Sequence, residues 1–79
     1  MDKLDAKIIV AFVRSNMNIC EAARMTYYHR NTFTYQLNRI RKITGLNPRN
    51  FFDLHELHDI ACRILTIDEI EAIWEEGSL

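Results

Sequence analysis

Apolar residues along this chain recur at helical rather than strand spacing, in runs separated by short polar breaks. The first run lies between Asp2 and Ser15. Its residues Leu4, Ala6, Ile8, Ile9, Val10, Ala11, Phe12 and Val13 cover about two thirds of a helical wheel at 100° per residue. Such a helix is buried on more than one side, either centrally among the others or against a second copy of the chain. Met17 precedes a good N-cap, Asn18, and is placed to staple onto the next helix. Glu21 stands at the capping-box position, and Ile19, Ala22 and Ala23 give a helix from Ile19 to Met25 a small apolar face. Two turns are marginal in isolation, so packing must hold them.

Met25 to Tyr28 break the rhythm, and a longer helix begins near His29 or Arg30 and runs to Thr44. Gly45 follows, where a left-handed residue normally ends a helix. Phe33, Leu37, Ile40 and Thr44 fall within about 60° of one another and point into the core. From Asn18 to Gly45 the pattern is therefore that of a helix-turn-helix.

Asn47-Pro48 then forces an extended turn, with Leu46, Phe51 and Phe52 expected as core plugs. Asp53, with Glu56 at the capping-box position, is expected to cap a fourth helix carrying Leu54, Leu57, Ile60, Ala61, Ile64 and Leu65. Thr66 with Glu69 repeats the signature and opens a fifth helix to about Glu76. Its Ile67, Ile70, Ile73 and Trp74 need a surface to lie on, and Gly77-Ser78-Leu79 reads as a frayed end. The expected fold is all-α, a small bundle of about five helices in a single domain over residues 1–79.

Composition narrows the class. At 79 residues there is no room for a second core, and net stability should be a few kcal/mol. The 48% apolar and 27% charged content is that of a folded chain, and two Gly and one Pro leave little for β-turns. The longest apolar run, Ile8 to Val13, is too short to cross a membrane. With no signal-peptide pattern, Cys20 and Cys62 are expected as reduced, half-buried thiols of a cytoplasmic protein.

The net charge of −1 conceals a split. Through Asn50 nine basic residues stand against three acidic ones, giving +6; from Phe51 onward Arg63 stands against eight acids, giving −7. The first part suits a polyanion, and the acidic end is a possible surface for a protein partner.

Opposite the core stripe of the third helix lie Asn31, Thr34, Tyr35, Asn38 and Lys42, flanked by Arg30, Arg39 and Arg41. Glu and Lys would serve solubility better, with higher helix propensity. Asn pairs bidentately with adenine and Arg with guanine, while Thr or Tyr reaches phosphate or a thymine methyl. Asn31, Thr34 or Tyr35, and Asn38 set one side chain per turn toward a groove, and Arg24 on the preceding helix adds a cation.

The residues Asn18-Ile19, Glu21, Ala23, His29-Arg30-Asn31-Thr32, Tyr35, Leu37, Arg39-Ile40 and Thr44-Gly45-Leu46 resemble the C-terminal helix-turn-helix domain of PucR-type regulators, the purine-catabolism and sugar-diacid activators. The corner and third helix are also similar to the Fis-type helix-turn-helix. The likeness covers about residues 4–65 and leaves the last helix, about 66–76, outside. It implies a bacterial-type transcription regulator that binds double-stranded DNA sequence-specifically as a homodimer. The helix from Arg30 would then be the recognition helix. Arg30, Asn31, Thr34, Tyr35 and Asn38 are expected to read bases, and Arg24, His29, Thr32, Arg39, Arg41 and Lys42 to meet phosphate.

Thr34 and Gln36 stand where the family usually has arginine, so phosphate affinity and its salt dependence should be weaker than in relatives. Thr26 replaces an apolar residue, and Tyr27 sits at a corner where Gly is common, a choice that strains an unreshaped turn. Regulators of this type carry a sensor region before the domain, so the sequence is expected to be either an excised domain or a small stand-alone regulator. Pairing is expected through the first helix or the final one with Trp74.

Other chemistry is poorly supported. His55 and His58 have a metal-compatible spacing with Asp59 and Cys62 nearby, yet no convincing ligand set forms. His29 is either a pH-sensitive contact or an N-cap. No nucleophile–base pair, phosphate loop or carboxylate cleft can be assembled, so neither an enzyme nor a cofactor is expected. The competing function is a protein-interaction module that keeps the helix-turn-helix scaffold without reading DNA.

Overall fold

In the computed structural model, which describes residues 1–78 with side chains through Ile73, all regular structure among the described residues is helical. Helix α1 (Lys3–Arg14) starts with a reciprocal cap: Asp2 Oδ1 accepts from the Asp5 amide at 2.9 Å and Asp5 Oδ2 from the Asp2 amide at 3.4 Å. Ala6 and Ile8 through Phe12 are buried, because α1 packs against each of the other four helices. Most of its wide apolar surface is thus covered within one chain, as in the first of the two expected arrangements, with Leu4 left exposed. Ser15 closes the helix, its hydroxyl lying 3.0 Å from both the Phe12 and the Asn18 carbonyl oxygens. Asn16 and Met17 then turn the chain with φ of 58° and 64°. Met17 is exposed rather than stapled.

Helix α2 (Ile19–Thr26) is capped by Asn18, whose Oδ1 accepts from the Glu21 amide at 3.1 Å. The Glu21 carboxylate pairs with Arg24 one turn on, so Glu21 does not complete the expected reciprocal box. Helix α3 (Arg30–Thr44) buries Phe33, Leu37 and Ile40 completely, as its spacing requires. Phe33 meets Phe12 with ring centroids 6.2 Å apart. Full burial of such a side chain is worth about 1.5–3 kcal/mol, so this contact is a main tie between α1 and α3.

Helix α4 (Phe51–Ile64) begins two residues before the expected cap, with Asn50 Oδ1 accepting from the Phe52 and Asp53 amides. This earlier start corrects two expectations. Asp53, now inside the first turn, accepts instead from the Asn47 amide at 3.0 Å and ties down the preceding turn. Phe52 falls about 160° around the wheel from buried Leu54, so it points outward and is 80% exposed. Phe51, at the edge of the same face, is 68% exposed. Pro48 is the residue that plugs the turn, and Leu46 packs partly against the core.

Helix α5 (Ile67–Ser78) opens with the expected Thr66–Glu69 box and lies on α1 and α2. Ile73 is buried and Ile70 partly so, whereas Ile67 is exposed. The roles expected of the Trp74 side chain and the chain end at Leu79 lie outside the described residues. Cys20 is exposed and Cys62 partly buried, so only the second matches the half-buried thiol expected. No helix among the described residues is long and apolar enough to cross a membrane.

Candidate nucleic-acid interface

The corner between α2 and α3 sets how the third helix leaves the body. Tyr27 takes the left-handed conformation, φ 61° and ψ 25°, without reshaping of the turn. The Tyr28 amide donates to the Ala23 carbonyl at 3.0 Å and the Tyr27 amide to that of Arg24 at 3.3 Å. Together they form a Schellman ending with tyrosine where glycine is usual. Thr26 is accommodated because its hydroxyl turns back onto the Ala22 and Ala23 carbonyls, at 2.9 and 3.2 Å. Tyr28 packs against the core.

His29 is the N-cap of α3, its Nδ1 accepting from the Asn31 amide at 3.1 Å. A neutral ring in that role carries its proton on Nε2. Of the residues expected to read bases, Arg30, Asn31, Tyr35 and Asn38 are exposed, and Tyr35 is 66% exposed. Asn31, Tyr35 and Asn38 lie on the side of α3 away from Phe33, Leu37 and Ile40, and Arg30 stands on the flank at the helix start. Arg30 reaches back toward Cys20, its Nη1 being 3.9 Å from Sγ. Thr34 is half-buried, and its hydroxyl donates to the Arg30 carbonyl at 3.0 Å, which leaves its methyl as the more available group.

The residues expected at phosphate divide. His29, Thr32, Arg41 and Lys42 are exposed around the same face, with Lys42 beside Asn38 on the outward stripe. Arg24 is exposed but shares its charge with Glu21. Arg39 turns inward: its Nη1 sits 2.9 Å from Oδ1 of Asp5, a carboxylate with 2% of its side chain exposed. The structure brings that arginine to the core edge rather than to the outer face.

Two participants escaped sequence reasoning. Asp5 stands in the first turn of α1, and its burial against α3 has no local signature. Arg49, in the turn after α3, places Nη1 2.9 Å from Asn38 Oδ1. A shallow depression of about 520 Å³ adjoins it, lined by Asn38, Arg41, Lys42 and Gly45. On α4, His58 faces Cys62 with Nε2 3.6 Å from Sγ, remote in sequence from the α3 face.

The model of the PucR C-terminal helix-turn-helix domain matches residues 6–64. The chain belongs to this family. Over 47 residues it is 38% identical to the carbohydrate diacid regulator of Escherichia coli (strain K12), a match covering 60% of this chain and 12% of that protein. No solved structure matches the chain significantly. The expected likeness is thereby established, and the matched stretch spans the PucR-type domain from α1 through the end of α4, leaving α5 outside.

Proposed function

We propose that this PucR-type domain is the DNA-binding part of a transcription regulator and lays α3 in the major groove of duplex DNA. The observation that carries this reading is the exposed Asn/Tyr/Lys/Arg face of a helix whose opposite face is locked by Phe33, Leu37 and Ile40. Rigid placement is what base readout needs, because hydrogen bonds to base edges tolerate little displacement. Arg30, Asn31, Tyr35 and Asn38 read bases, with Thr34 contributing its methyl. His29, Thr32, Arg41 and Lys42, with Arg24 in part, meet phosphate, and Arg39 holds the helix in place. A single module of this size covers too little DNA for tight specific binding, so two copies on a two-fold related site complete the reading. Such a regulator works in the cytoplasm.

Fluorescence anisotropy with random duplex DNA at two salt concentrations tests the proposal. Two to three phosphates neutralised per copy predict a log–log salt slope of roughly −2 to −3 per copy. Absence of salt-sensitive binding at low ionic strength would remove the DNA reading. It would favour a protein-docking role, to which the exposed, edge-on pair Phe51 and Phe52 and the acidic last helix lend the most support.

A further inference from the structure

Arg49 lies beyond the recognition helix, yet its position is closely controlled. Pro48 beside it is fully buried, and the Asn50 amide donates to the Asn47 carbonyl at 3.0 Å to close a turn around it. The Arg49 amide itself donates to Asn47 Oδ1 at 3.0 Å, and the Asn47 amide is held by Asp53. This pinned turn delivers the guanidinium to the side-chain amide of Asn38, eleven residues back on the outward stripe of α3.

The contact has a chemical consequence. Guanidinium has donors only, so the Asn38 atom at 2.9 Å must be the oxygen, and the amide cannot flip without losing the bond. Resting on the groove-reading role assigned above to Asn38, we infer that Arg49 is a specificity-determining positioning residue that turns the Asn38 oxygen toward itself and leaves the Nδ2 protons to the base. An asparagine held this way does not offer adenine the matched acceptor and donor that bidentate pairing at N6 and N7 requires. It suits an edge made of acceptors, which in the major groove is guanine with N7 and O6. The sequence alone, with Asn38 taken as an unconstrained amide, points to adenine.

Binding-site selection with the intact chain, its Asn38→Ala variant, Arg49→Met and Arg49→Lys tests the inference. Asn38→Ala identifies the base pair that Asn38 reads, as the position whose preference it erases. At that position the unaltered chain should select guanine, and Arg49→Met, which frees the amide, should raise the adenine-to-guanine ratio by roughly tenfold or more. Arg49→Lys, still a donor-only cation, should retain guanine. If Arg49→Met selects the same base as the unaltered chain while Asn38→Ala still relaxes it, the positioning role is overturned and the reading face stands. If Asn38→Ala changes no preference at any position, the reading role of Asn38 fails and the inference with it. Loss of charge at position 49 can also lower affinity for every sequence, which leaves the ratio unmoved and so counts against positioning when it is the sole effect.

Discussion

Arg39 Nη1 and Asp5 Oδ1 meet at 2.9 Å across 34 residues of chain, fastening the start of α1 to the middle of α3. Asp5 has 2% of its side chain exposed, whereas Arg39 keeps 39% and reaches water. The two partners should therefore respond unequally to removal. Arg39→Met strands a buried carboxylate and should cost about 3 kcal/mol, while Asp5→Asn leaves a cation that solvent relieves and should cost about 1–2 kcal/mol. Urea unfolding of both single variants and the double variant measures the asymmetry and their coupling. Equal losses that simply add would mean that the pair is a solvated surface contact.

On the outer face of α3, the proposed division between base and phosphate contacts predicts two kinds of loss. Asn31→Ala should cost about 1–3 kcal/mol at the preferred site and relax choice at one base pair. Arg41→Ala should weaken all sequences nearly alike and make the salt slope shallower by about one unit. Titrations of both variants on a selected and a random duplex separate them, and identical behaviour would dissolve the division of roles.

The buried stripe of α3 was legible because Phe33, Leu37 and Ile40 repeat with the helical period, and burial follows period directly. The same rule failed at Phe51 and Phe52. Both Asn50 and Asp53 are good N-caps, and a start at Asn50 takes both rings into the first turn of the helix, where they meet solvent. Asp5–Arg39 and Asn38–Arg49 were illegible for another reason. Each joins residues on different elements, and nothing in local spacing marks an ion pair or an amide contact made across the fold. Exposure of Asn31 and Tyr35 could be read from the wheel, but the withdrawal of Arg39 could not.

Tyr27 offers a test of backbone strain at the corner. At φ 61° an L side chain pays about 1 kcal/mol for the left-handed region, and with 78% of it exposed the ring returns little packing. Glycine removes the clash and adds some unfolded-state entropy, so Tyr27→Gly should stabilise the domain by about 0.5 kcal/mol, with Tm a few degrees higher. Tyr27→Val, β-branched and equally left-handed, should lower it. A thermal melt in which glycine destabilises would assign the tyrosine a packing role that its exposure does not suggest.

His58 links stability to pH. Partial burial, and then the nearby charges of Arg14 and His55, hold its pKa below the ordinary histidine value of 6.5, against the opposing pull of Asp59. The unfolded chain thus binds this proton more readily than the folded one. Stability should be full above about pH 7 and decline as pH falls through 6.5, where the unfolded state begins to protonate and the folded state does not. Denaturant midpoints between pH 7.5 and 5 should show the decline, and His58→Gln should flatten that part of the curve. The Glu69 cap, whose pKa is lowered chiefly by the Thr66 amide and further by Lys3, adds its loss only below its ordinary value of 4.5, so the two effects separate on the pH axis.

Phe51 and Phe52 separate apolarity from core membership. Their rings stack edge-on at 5.7 Å on the surface, and Phe51 borders a cleft of about 410 Å³ lined also by Val13, Met17 and Leu54. Exposed side chains change stability little, so Phe52→Ser should stay within about 0.5 kcal/mol of the parent. Phe33→Ala, which empties a fully buried site, should cost about 3–5 kcal/mol and unfold much of a domain this small. Phe51→Ser should fall nearer the first than the second, because the residue is already 68% exposed. Urea midpoints for the three variants rank the positions, and a large loss at Phe52 would return that ring to the core and move the start of α4 back toward Asp53.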